Sequence, residues 1–162
     1  MYGSDVTVPA NSDVQSFAIC PSGTVSLGGG WYSYSNTSSV TTDGATSSAP
    51  YGTNGWRAWL AAGANGGTSG FAAVVCAKKP AGWAQVSSAY SAVGAESQVA
   101  VTVKCPSGTK VLGGGSFDSS LDPLVQIGLT DSFTNEKGWN TAVNNNTTSS
   151  VSADAWGVCA KV

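Results

Sequence analysis

Histidine is absent from this sequence, methionine occurs once, and Lys, Arg, Asp and Glu together supply only 10% of the residues. Soluble domains usually carry roughly 25% charged residues, so surface positions here fall to Gly, Ser, Thr, Asn and Ala, giving a neutral, hydrogen-bonding exterior. Without imidazole, neither a Ser-His-Asp nor a Cys-His nucleophilic arrangement can be assembled, and no catalytic residues are assigned. The 7 basic residues against 9 acidic ones leave a net charge of -2, which offers no electrostatic footprint for a phosphate backbone and argues against nucleic acid as a partner. No apolar run approaches the roughly 18 residues of a membrane-spanning helix, and the alanine-rich stretch from Ala58 to Ala64 is broken by Gly63, so no membrane insertion is expected. The opening Met1-Tyr2-Gly3-Ser4-Asp5 has neither the basic start nor the apolar middle of a signal peptide and reads as that of a mature chain.

What is present is a repeat. Cys20-Pro-Ser-Gly-Thr24 recurs as Cys105-Pro-Ser-Gly-Thr109, Leu27-Gly-Gly-Gly30 as Leu112-Gly-Gly-Gly115, Gly55-Trp56 as Gly138-Trp139, and Cys76-Ala-Lys78 as Cys159-Ala-Lys161. Upstream, Val6-Thr-Val-Pro-Ala10 falls opposite Tyr90-Ser-Ala-Val-Gly94. The boundary lies near Lys79-Pro80-Ala81-Gly82, which divides the chain into repeats at residues 1–80 and 81–162.

The apolar periodicity within each repeat is two. Val99, Val101, Val103 and Cys105 alternate with Ala100, Thr102 and Lys104, and in the first copy Val14, Ser16, Ala18 and Cys20 oppose Gln15, Phe17 and Ile19. Trp56, Ala58 and Leu60 match Trp139, Thr141 and Val143 as another alternating strand. Helical periodicity with caps is lacking. The expected fold is therefore all-β, two pseudo-symmetric antiparallel modules, each a small sandwich or open barrel, packed side by side.

Four cysteines allow three pairings. Duplication of an intact unit favours bonds within each copy, Cys20 with Cys76 and Cys105 with Cys159. Closing a loop of about 55 residues stabilises a fold by roughly 4 kcal/mol on the chain-entropy model. A zinc site is disfavoured because each thiol is isolated, without the close Cys-x-x-Cys pairs such sites use, and neither metal nor cofactor is expected. Disulfides imply an oxidising compartment, hence a secreted or cell-surface protein.

The triple glycines lack the Lys-Ser/Thr and the following helix of a phosphate loop, so they are expected to mark a bulge or a place where another strand crosses closely. Asp118, Asp122 and Asp131 cluster in the second copy, but the first has Ser33 opposite Asp118 and only Asp43 in the comparable loop; turn-forming, solvated roles are expected for them.

Aromatics sort by whether both copies keep them. Trp56 with Trp139, and Tyr32 with Phe117, are kept and read as core or core-edge residues. Trp31, Tyr34, Tyr51 and Trp59 have no aromatic counterpart, and Trp59 has strand parity opposite to Trp56 and Leu60. These four are the candidate ligand-binding residues, flat faces ringed by Ser, Thr and Asn as a sugar site requires, although a protein interface needs the same set. Phe17 and Ile19 face Thr102 and Lys104 in the alignment, so something is expected to cover them: the linker with Trp83 and Tyr90, the second repeat, or a partner chain.

The order Cys-Pro-x-Gly, Gly-Gly-Gly, Gly-Trp, Cys-Ala, running from Cys20 to Ala77 and again from Cys105 to Ala160, resembles an uncharacterised repeat of exported bacterial proteins. That resemblance implies a β fold and export, and it transfers no functional residue. Sequons at Asn36, Asn145 and Asn146 would matter only in a host that glycosylates. The functional expectation is a non-catalytic extracellular recognition module for a glycan or a surface protein. The alternative is a self-assembling structural subunit of a surface layer, filament or virion appendage.

Overall fold

A computed structural model describes residues 1–35, 44–64, 67–118, 127–135 and 138–162. Asn36, Asp43 and Asp122 lie outside the described residues. Among those described there is no helix, only thirteen strands: β1 (Val6–Val8), β2 (Ser12–Ile19), β3 (Val25–Ser35), β4 (Gly44–Tyr51), β5 (Gly55–Ala62), β6 (Thr68–Ala77), β7 (Ala84–Ser87), β8 (Ser91–Val93), β9 (Ser97–Lys104), β10 (Lys110–Asp118), β11 (Ile127–Asn135), β12 (Gly138–Asn145) and β13 (Val151–Ala160).

The first copy is a sandwich of two three-stranded layers, β1-β6-β3 and β2-β5-β4; the second repeats it with β13 flanked by β10 on one side and β7 and β8 on the other, facing β11-β12-β9. The equivalence extends to irregularities. Both triple-glycine strands carry a register shift at the leucine before the glycines, between Ser26 and Gly28 and between Val111 and Gly113. A second matched shift falls between Ala45 and Ser47 and between Leu129 and Asp131. Both Cys-Pro-Ser-Gly-Thr segments make one turn, with Gly23 at φ 80° and Gly108 at φ 77°, the left-handed backbone that glycine takes without steric cost. Each turn is closed by its threonine hydroxyl donating to the proline carbonyl, at 2.6 Å from Thr24 and 2.7 Å from Thr109.

The disulfides are Cys20–Cys76 and Cys105–Cys159, one per copy, with Cα separations of 5.6 and 5.7 Å. Each ties a module's β2-type strand end to its last strand, and so to the opposite layer. The register corrects the upstream alignment by one residue. Val6 pairs with Gly70 as Ser91 pairs with Ala153, so Val6 corresponds to Ser91 rather than Tyr90, and the fully buried Val8 corresponds to the fully buried Val93.

The glycines and the tryptophans explain each other. Trp56 is wholly buried, and a Cβ on Gly29 would fall inside its indole ring; a Cβ on Gly114 would strike Trp139 in the same way. The middle glycine of each triplet is therefore the seat of the opposite layer's tryptophan. Around Trp56 pack Val8, Ala18, Leu60, Ala72 and Val74, the inward sets of both layers. The Trp56 indole N–H donates to Ser48 Oγ at 2.9 Å, so its one polar atom is satisfied inside the core.

The first glycines meet across the two copies, where a Cβ on Gly113 would lie 2.8 Å from Gly28 Cα. Nearby, β4 and β10 join the two modules edge to edge through Ser48 and Ser116, making one seven-stranded sheet. The third glycines differ. Gly115 admits the Ser48 carbonyl into this join, whereas nothing lies within 4 Å of a Cβ on Gly30. The expected close strand approach is thus present at five of these six glycines, all but Gly30, and at Gly29 and Gly114 it is joined by a tryptophan seat.

Two expectations change. Asp118 is fully buried rather than solvated, its backbone N–H donating to Ser47 Oγ at 3.0 Å and its carboxylate accepting from the same hydroxyl at 3.3 Å. Asn145 is also fully buried, its amide donating to the carbonyls of Val93, Gly94 and Ser149, so within this fold it is a loop brace and not an accessible sequon. Asn146 is exposed.

Because the seat, and not the triplet as such, requires glycine, Gly29→Ala should lower the unfolding free energy by about 3 kcal/mol through overpacking against Trp56. Gly30→Ala should change it by no more than about 0.5 kcal/mol. Urea denaturation of the two variants side by side tests the assignment; equal losses would refute it.

Candidate functional site

The two modules share a frame and differ in what they display. On the outer face of the β1-β6-β3 layer, the register sets Tyr32 beside Phe71 and Tyr34 beside Ser69, while Tyr2 bridges to Ala73. Side chains two apart on a strand share a face, so these rings line up along one surface. Tyr34 and Tyr32 have ring centroids 6.0 Å apart at 35°, Tyr32 and Phe71 5.6 Å at 33°, and Phe71 meets Tyr2 edge-on at 5.4 Å and 74°. Three rings therefore form a shallowly tilted platform with Tyr2 standing at its end. Tyr2 is 77% exposed and Tyr32 57%.

The Tyr34 hydroxyl donates to the Asp5 carboxylate. That bond to an ionised acceptor holds the phenol proton and raises the Tyr34 pKa above 10.0, with smaller upward contributions from desolvation and the Asp5 charge. Thr68 Oγ1 donates to the Tyr34 carbonyl at 2.8 Å and fixes the backbone beneath it. The platform thus has a polar, negatively charged end at Asp5 and an aromatic length.

Copy two holds different residues at the same places. Register places Ser87 where Tyr2 stands and Asp154 where Phe71 stands, and the sequence puts Ser119 at the place of Tyr34. Tyr32 does correspond to an aromatic, Phe117, yet it is not a core-edge residue as its retention suggested. In copy two the join brings Arg57 of the first copy over the Phe117 ring, 4.4 Å from its centroid, while β3 ends its sheet and leaves Tyr32 open. Asp154 beside Phe117 is almost wholly buried. Burial raises its pKa, opposed by hydrogen bonds from the Phe117 N–H and the Trp156 indole and by the field of Arg57.

The four candidate residues Trp31, Tyr34, Tyr51 and Trp59 do not share a surface. Only Tyr34 belongs to the platform. Trp31 sits on the inward-facing register of β3, opposite the buried Ala72, and is nevertheless 39% exposed at the edge of its sheet. Tyr51 and Trp59 lie on the outer register of β2-β5-β4, the other side of the sandwich. Trp59 is half-buried there, its indole N–H enclosed without a hydrogen-bond partner among the described residues. Tyr51 packs against Phe17, ring centroids 4.8 Å apart. Phe17 and Ile19 keep 37% and 47% of their surface, so neither the linker nor the second repeat covers them; Trp83 packs instead against the start of β3, and Tyr90 is exposed.

No protein-family model, curated protein or solved structure matches this chain. The site therefore rests on its own geometry. Tyr2 and Phe71 escaped sequence reasoning for different reasons. Phe71 could have been found by carrying the Cys76–Cys159 spacing back to Asp154, whereas Tyr2 was hidden by the upstream misalignment; the pairing of Gly3 N–H with Ala72 O and of Ser88 N–H with Ala155 O extends the corrected register to it.

The Tyr34–Asp5 bond makes a spectroscopic prediction. In an ultraviolet titration Tyr34 should ionise above the ordinary phenol range, and Asp5→Asn should bring its proton's release back toward that range. An unchanged titration curve would remove Asp5 from the platform.

Proposed function

We propose that this protein is a non-catalytic extracellular recognition module that binds glycan through the Tyr34–Tyr32–Phe71–Tyr2 platform. One observation carries the reading. Copy two builds the same sandwich with Ser87 and Asp154 where copy one has Tyr2 and Phe71, so folding does not require those aromatics. Aromatics that the scaffold can do without, left in water on a flat layer, cost solvation unless something stacks on them. Pyranose rings have apolar faces that suit shallowly tilted phenyl rings, and their hydroxyls suit Asp5 and the tyrosine hydroxyls. Two disulfides, and no helix long and apolar enough to cross a membrane among the described residues, accord with a secreted or surface-displayed chain. The resemblance to exported bacterial repeats points the same way.

The test is binding to a panel of soluble polysaccharides by affinity electrophoresis and calorimetry. Tyr32→Ala and Phe71→Ala should each weaken binding by about tenfold, a loss of roughly 1.4 kcal/mol, without lowering the melting temperature appreciably. Tyr51→Ala, on the far layer, should bind as the parent does. Equal loss from Tyr51→Ala, or no glycan bound by the parent chain, would overturn the reading.

A second reading has its own observation. Phe17 and Ile19 of β2, the strand that ends the seven-stranded sheet, form with Tyr51 of β4 a separate exposed apolar patch, and β2's counterpart carries Thr102 and Lys104 instead. That patch suits self-assembly into a larger surface structure. Its edge is partly closed, because the N-terminal segment brings Gly3 against the Phe17 carbonyl and Ser16 Oγ donates to Ser4 O at 3.2 Å. Sedimentation over a wide concentration range decides: assembly that disappears in Phe17→Thr/Ile19→Lys supports this role, and a monomer throughout eliminates it.

A further inference from the structure

Tyr34 and Tyr32 follow each other along β3, Tyr32 pairs across to Phe71 on β6, and Tyr2 lies beyond Phe71 on the far side of β6, opposite Ala73. The line of rings therefore crosses the layer obliquely, from the edge strand β3 to the segment before β1. Successive centroids are 6.0, 5.6 and 5.4 Å apart, so each ring adjoins the next and the aromatic surface has no break.

One step further along the two strands the surface drops. Gly30 and Ala73 pair with each other on the face that carries Tyr32 and Phe71, and Tyr2 stands opposite Ala73. Nothing lies within 4 Å of the place a Cβ on Gly30 would take. Phe71 meets Tyr2 at 74°, whereas the earlier rings turn by only 35° and 33° from one to the next. The platform thus ends in a low shelf over Gly30 and Ala73, with the crosswise Tyr2 ring as its wall.

A sugar chain on this surface has to be straight. Equatorial linkages keep pyranoses extended, advancing per residue by a distance close to the ring spacings, whereas axial linkages coil the chain and lift it away from the rings. In a β-1,4-linked ribbon each sugar is turned over relative to its neighbour, so the platform meets the two faces of the pyranose in alternation. With no gap between the rings, both faces must be apolar. A sugar whose substituents are all equatorial carries only C–H bonds on its two faces. One axial hydroxyl sets a polar group against an aromatic ring at every second residue, where it loses water and gains no partner.

Given that the platform is the glycan site, we infer that its ligand is a single β-1,4-linked chain of all-equatorial pyranoses. One residue stacks on each of Tyr34, Tyr32 and Phe71, and a fourth lies on the Gly30–Ala73 shelf against Tyr2. Glucose, xylose and N-acetylglucosamine polymers share this stereochemistry. Apolar burial accumulates with each ring covered, so affinity grows with chain length until the shelf is filled. Asp5, which accepts the Tyr34 proton, keeps acceptor capacity for a sugar hydroxyl or amide N–H at the other end.

Calorimetry of the full chain with hexasaccharides that differ by one feature tests this. Cellohexaose, xylohexaose and N-acetylchitohexaose separate the three sources, and at least one of them should bind. Mannohexaose, β-1,4-linked with an axial hydroxyl, and maltohexaose, with axial linkages, should each bind at least about tenfold more weakly than the best of the three. In the best series, affinity should rise at least about tenfold from disaccharide to tetrasaccharide and by less than about twofold from there to hexasaccharide. Gly30→Val fills the shelf where added bulk meets no neighbour; it should erase the gain from trisaccharide to tetrasaccharide and leave trisaccharide affinity as in the parent. Mannohexaose or maltohexaose binding as tightly as the all-equatorial chains, yet still weakened by Tyr32→Ala, overturns this inference and keeps the platform as the glycan site. Binding that survives both Tyr32→Ala and Phe71→Ala overturns the platform reading itself. Failure to bind any all-equatorial chain, or a chain-length profile unaltered by Gly30→Val, also overturns the inference.

Discussion

The seating of one indole on one bare backbone position, Trp56 on Gly29 and Trp139 on Gly114, is the contact from which the rest of each module follows. A large ring can be buried between two thin layers only where the facing strand gives up a side chain, and a methyl group there has no free volume to enter. The seat fixes the register of β5 against β3, and hence which side chains of both layers point inward. The disulfide then ties the same layers together at the end of the module. A unit of about 80 residues buries limited apolar surface, so a well-filled seat and a crosslink are the two features that make so small a core sufficient.

Duplication placed two such units with their first glycines in contact and then treated the two sides of the contact differently. On one side β4 and β10 meet, with the Ser48 carbonyl entering the space above Gly115; on the other, β3 ends its sheet with Trp31 at the place of Ser116. Ser116 thus stands opposite Ser48 at the joined edge, and Trp31 stands at the corresponding place on the open one.

The open sides belong to copy one, and so does the aromatic cladding. Copy two meets solvent at the corresponding positions with Ser87, Thr102 and Lys104, or buries them, as Asp154 and Val158 show. Copy two therefore acts as the internal control for folding: whatever it lacks, the sandwich does not need. What copy one carries in excess, Tyr2, Tyr34, Phe71, Phe17 and Ile19, is the part of the molecule open to selection for binding.

Local pattern was enough for the all-β class, the duplication, the strand faces of β2, β5 and β9, and the intramodule sulfur pairing, because a period of two and a conserved order of landmarks report on neighbours along the chain and on an intact copied unit. It was enough, too, to single out Trp31, Tyr34, Tyr51 and Trp59 as unmatched. It could not say that these four point to different surfaces. Two register shifts per module reset the alternation, and a shift of one residue moves a side chain to the other face. Nor could pattern alone show that Asp118 and Asn145 are buried braces or that Tyr32 is open while Phe117 lies under Arg57. Those facts depend on which strand of the other copy comes to rest nearby, and that is decided by packing between segments far apart in sequence, not by any residue's own neighbours.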